Sequence, residues 1–110
     1  MSEALGDLMV RLRAEYLAEI PSRLEEILAA VERLEGEDPD AIRQLTVLFH
    51  RLAGSAGAYG FGEVTTACRR EEIALKAASR PVALASQLRG AVEEIRTAFA
   101  AAPTSPPIAP

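Results

Sequence analysis

Apolar side chains recur along this chain at steps of three and four residues, the spacing of helices that bury one face. Residues 3 to 18 alternate charge with Leu and Met at that spacing and predict a first helix. Pro21 lacks an N–H donor and suits a first helical turn, so a break or kink is expected at about residues 19 to 21. Ile20, Leu24, Ile27, Leu28, Val31 and Leu34 then form one stripe, which Gly36 is expected to end as a C-terminal glycine. The next helix is expected to begin with Asp38 as cap and Pro39 in the first position. Its stripe is Ile42, Leu45, Phe49, Leu52, Ala56 and Tyr59. Gly60 and Gly62 punctuate the chain around Phe61, and Tyr59 and Phe61 read as packing residues. A further helix is expected over about 62 to 78 with Val64, Ala67, Cys68 and Leu75 inward. Ser79, Arg80 and Pro81 mark a stop. The last helix should bury Leu84, Leu88, Val92, Ile95 and Phe99.

Long amphipathic helices with short connections place sequence neighbours antiparallel. The expected fold is all-α: an up-down antiparallel four-helix bundle with an additional N-terminal helix over one end. Residues 1–100 would form this single domain. Residues 101–110 hold four prolines and no apolar period and are expected to be a disordered tail.

Composition narrows the chemistry. Net charge is −4, a poor match to nucleic acid, whose binding depends on neutralising phosphates. One cysteine excludes an internal disulfide, and Cys68 reads as a small buried apolar residue. One histidine and one cysteine are too few for a structural zinc site, so no metal is expected. No apolar run reaches about 18 residues and no signal-peptide pattern is present, so a cytoplasmic protein with no membrane partner is expected.

The histidine is the distinctive residue. On a helix turning about 100° per residue, His50 points about 130° from the centre of the apolar stripe, toward water. Gly54 and Gly57 fall on the same outer face. An interior glycine costs a helix roughly 0.5–1 kcal/mol relative to Ala, and neither glycine faces the core. The bare positions instead remove side chains beside the imidazole and would let another protein's backbone approach. The competing reading is an ordinary surface histidine among small residues.

The stretch His50-Arg51-Leu52-Ala53-Gly54-Ser55-Ala56-Gly57, with Gly60 ten positions after the histidine, resembles the signature of the histidine phosphotransfer (HPt) domains of two-component phosphorelays. Ala67, Cys68 and Glu72 also fall where that family often has a small or cysteine pair and a Glu or Gln. The resemblance runs from Pro21 to Phe99. It implies that His50 is the phosphoryl acceptor, through Nε2. It implies that Glu72 accepts a hydrogen bond from Nδ1–H and orients the imidazole. It implies that Gly54 is where a partner receiver comes close, with Gly57 and Ala53 as further access positions. The partners implied are response-regulator receiver domains, a hybrid histidine kinase, or both. The domain would be a phosphoryl carrier with no kinase or ATPase site and no cofactor of its own, magnesium sitting on the receiver.

Two departures bear on the site. The family usually has Lys three positions after the histidine, where this chain has Ala53. A cation could come from the neighbouring helix, where Arg69, Glu72 and Lys76 share one face and either Arg69 or Lys76 could stabilise phosphate. Arg51 is a weaker candidate, since it points about 100° around its own helix. Glu71 falls within an apolar stripe, where relatives tend to carry Leu. Either the local helix phase differs, or Glu71 sits near an exposed bundle end, or it pairs with an arginine. Two rival readings stand beside the carrier. One is a helical adaptor that docks receivers without phosphotransfer, and the other is a fragment of a larger kinase or hybrid sensor.

Overall fold

The computed structural model describes residues 2–101. Among these residues the chain forms α1 (Ser2–Glu35), α2 (Ala41–Ala58), α3 (Gly62–Ala77), a short 3-10 turn (Pro81–Leu84) and α4 (Ala85–Ala101), with no strand. It is an all-α bundle of 52 × 24 × 20 Å. No described helix is long and apolar enough to cross a membrane. The expected tail lies outside the described residues, except that Ala101 closes α4.

The expected break at Pro21 is absent. The separate N-terminal helix is instead the first half of a continuous 34-residue α1. Pro21 is exposed, and it forfeits one N–H bond at a cost of about 3 kcal/mol. Ile20, Leu24 and Ile27 around it are each at least 95% buried. Burying such side chains stabilises by about 1.5–3 kcal/mol apiece, so packing outweighs the proline. Tyr16 is the first hydrophobic of α1 to reach the core. Ahead of it Leu5, Leu8, Met9 and Val10 stay exposed.

Phe49, Leu45, Leu52 and Ala56 of α2 meet Leu24, Ile27 and Val31 of α1 in one core with Val64 and Cys68 of α3 and Leu88, Val92 and Ile95 of α4. Leu84 sits in the 3-10 turn, outside α4, and is only half-buried. Helix α2 starts later than expected, at Ala41 with Asp40 as its N-cap, but Asp38 still takes up a backbone donor ahead of it. Its Oδ1 accepts the N–H of Asp40 at 2.9 Å.

Two helices close with the same motif. The N–H of Phe61 reaches Ala56 O at 2.8 Å and that of Gly60 reaches Gly57 O at 3.1 Å, with Gly60 at φ +86°. At the end of α1 the N–H of Asp38 reaches Arg33 O and that of Glu37 reaches Leu34 O, both at 2.9 Å. There the left-handed residue is Glu37, at φ 62°, one position after the expected Gly36. Glu37→Gly relieves a left-handed side-chain clash of about 1–2 kcal/mol, partly offset by the greater freedom of an unfolded glycine. A net gain of about 0.5–1 kcal/mol is expected, read as a rise of a few degrees in Tm. An unchanged or lowered Tm would count against strain at Glu37.

Candidate functional site

Phe49 is fully buried, and the next residue on α2 therefore turns outward. The His50 side chain is 78% exposed. Its Nδ1 lies 3.2 Å from Oε2 of Glu72, at the long end of hydrogen-bond range, so a proton on Nδ1 is donated to that carboxylate. Glu72 is itself buried, with its side chain 11% exposed. Among the described residues Nε2 has no hydrogen-bond partner. A neutral imidazole that donates from Nδ1 keeps a lone pair on Nε2, the nitrogen open to an incoming group.

An open cleft surrounds this pair, lined by His50, Ala53, Gly54, Arg69, Glu72, Ile73 and Lys76. The fold thus brings together every expected site residue but Gly57. Arg69 and Lys76 are exposed, on α3 to either side of Glu72, and among the described residues neither forms an ion pair. Arg51 lines a different depression, with Arg23 and Glu26 of α1.

The access positions need correction. At Gly54 an added Cβ would meet nothing within 4 Å, so the position is open as expected. At Gly57 it would stand 3.2 Å from Thr65 Oγ1. That hydroxyl donates to Ala53 O at 2.7 Å, tying α3 to α2. Gly57 therefore makes room for a helix–helix contact, outside the His50 cleft. Ala53 is only 3% exposed and forms part of the cleft wall against α3, where it offers a partner little surface.

Three further residues acquire roles from their surroundings. Ser55 Oγ lies 2.8 Å from the hydroxyl of Tyr16, joining α2 to α1. Tyr16 stacks on Tyr59 at 4.4 Å, and burial foremost raises its phenol pKa. Cys68 is fully buried, and burial, then the charges of Glu72 and Glu71, push its thiol up to about 12. It stays protonated and inert.

Glu71 resolves to the arginine pair. Its side chain is fully buried, and it accepts Arg70 Nε–H at 2.8 Å and Gln87 Nε2–H at 2.7 Å. Ile73 was not singled out from the sequence, yet it is 68% exposed and lines the cleft beside Glu72. The available signal was a large aliphatic side chain on the polar face of its helix.

Among models of protein families, that of the Hpt domain matches residues 11–98. Comparison with curated proteins and with solved structures returned no match.

Proposed function

This chain belongs to the Hpt domain family, whose members take part in two-component phosphorelays as phosphotransfer carriers, and from that premise we propose that His50 is its phosphoryl acceptor. The family interacts with receiver domains and histidine kinases. The observation that carries the assignment is the contact of His50 Nδ1 with buried Glu72 while Nε2 is left unpartnered.

The lone pair on Nε2 attacks the phosphorus of a receiver's aspartyl phosphate. The N–P bond forms as the P–O bond to the aspartate breaks, and the carboxylate leaves as an anion. The ring becomes a phosphorylated imidazolium that still carries its Nδ1 proton, and Glu72 stabilises that positive charge across the hydrogen bond. Magnesium would be supplied by the receiver, where it would offset charge on the phosphoryl group being transferred. The domain contributes a nucleophile held in one orientation.

The direct test mixes the domain with labelled phosphorylated receivers. Acid-labile, alkali-stable label on the domain is expected. Receiver docking without label would instead favour the adaptor reading, to which the alanine at position 53 lends support.

Ala53 cannot supply a cation, so the proposal assigns that task to α3. Lys76, aided by Arg69, stabilises the phosphoryl oxygens. An exposed charge contact is worth about 1 kcal/mol at most, or roughly fivefold in rate. Lys76→Ala is expected to slow transfer or shorten the phosphohistidine lifetime by about that factor, and the double variant with Arg69→Ala by more. If both variants match the parent in rate and lifetime, the domain works without a resident cation.

A further inference from the structure

Glu71 has no part in the chemistry above, yet it is the most buried charged side chain described, at 0% exposure. Replacing a buried ion pair with apolar packing is often neutral or stabilising, so stability alone is a weak reason for a carboxylate here. Its surroundings suggest a geometric reason. Gln87, which donates to Glu71, belongs to α4. Arg70 Nε–H also donates to Glu71, and Arg70 Nη2–H reaches Glu94 Oε1 of α4 at 2.8 Å. Glu94 is held below the usual carboxylate range by that Arg70 bond. The four side chains clamp α3 to α4 through directional bonds.

Apart from the His50 contact, the other directional bond described between α3 and another helix is that of Thr65 Oγ1–H to Ala53 O of α2, near the start of α3 and more than a turn before Glu71. Besides Glu71 and Glu72, the buried residues of α3 and α4, among them Val64, Leu75, Leu88, Val92 and Ile95, are apolar, and apolar contacts are non-directional. The next residue after Glu71 is Glu72, turned about 100° around α3 toward His50. Side chains end about 5–6 Å from a helix axis, so a turn of about 20° would move the Glu72 carboxylate roughly 2 Å. The 3.2 Å contact with Nδ1 would not survive that displacement.

We infer that Glu71 is a positioning residue: clamped by Arg70 and Gln87, it sets the rotation of α3 at which Glu72 meets His50. The inference rests on the proposed role of Glu72, but its test does not depend on phosphotransfer. The readout is the proportion of Nδ1–H tautomer at His50, from the ring ¹⁵N shifts of the unphosphorylated protein at a pH where imidazole is neutral. Glu72→Ala, which has no acceptor, supplies the reference for a lost contact.

Glu71→Leu is expected to fold with a Tm no lower than the parent's. Arg70 and Gln87 both reach solvent, so the substitution strands no buried donor. Its Nδ1–H proportion is expected to fall at least halfway to that of Glu72→Ala. Glu71→Gln is expected to restore it, because a turned Gln87 amide can accept from the new amide while Arg70 still donates. Should Glu71→Leu fail to fold, Gln87→Ala removes one strut from the surface, and the same fall is expected there in smaller degree. A folded Glu71→Leu, or failing that a folded Gln87→Ala, with the parent's tautomer proportion would overturn the inference. A domain that accepts no phosphoryl group yet shows the tautomer shift would overturn the proposed function and leave this inference standing.

Discussion

His50→Gln is expected to abolish label transfer from phosphorylated receivers while the domain stays folded. The side chain is 78% exposed, so the change empties no cavity. Glutamine is also a good helix former, with an amide that can still donate to Glu72, so the buried carboxylate keeps a partner. A stability change below about 0.5 kcal/mol follows, within a few degrees of Tm. The chemical effect is total by comparison, because an amide nitrogen has no lone pair available to attack phosphorus. No other histidine exists in the chain to take over. Acid-labile phosphate persisting on the variant at the parent's level would sink the assignment of His50.

Gly54→Gln carries the second largest expectation, and it separates docking from chemistry. Gly54 lies one helical turn beyond His50 on α2, and a Cβ there meets nothing within 4 Å. Replacing a mid-helix glycine with a residue of good propensity should stabilise the isolated domain by up to about 1 kcal/mol. The new side chain would project into the cleft that a receiver must enter. Overpacking a close contact costs about 1–3 kcal/mol, so transfer from receivers should fall at least about fivefold. Phosphorylation by a small donor such as phosphoramidate needs no docked backbone and should stay near the parent's rate. Receiver transfer at full rate in Gly54→Gln would show that close approach at this position is not required. Loss with both donors would place the damage in the imidazole itself.

Helical phase explains why much of this was legible in the residue order. Which way a side chain points from its own helix depends on its position in a 3.6-residue repeat. Phe49 and Leu52 therefore turn inward and His50 outward as expected, and Arg69, Glu72 and Lys76 share one face of their helix. Local chemistry served less well where packing competed with it. Pro21 reads as a break, but the buried stripe on either side carries the helix through. Gly36 reads as the left-handed residue, but Glu37 takes that conformation.

Relations between helices belong to another class. That Gly57 accommodates Thr65, that Ala53 lies against α3 and that Glu71 finds Gln87 all depend on the relative rotation and separation of two helices. The amphipathic stripe constrains that rotation only loosely, because it spans roughly 100° of the helix surface. The residue order alone thus determined the core-facing stripes of the helices and a solvent-facing histidine, while Glu72 was singled out by family resemblance. The tertiary structure decided which glycine stays open, how a buried glutamate is neutralised and whether Glu72 comes within reach of His50. Those outcomes turn on ångström-scale distances between segments far apart in the chain, set only when the helices pack into a shared core.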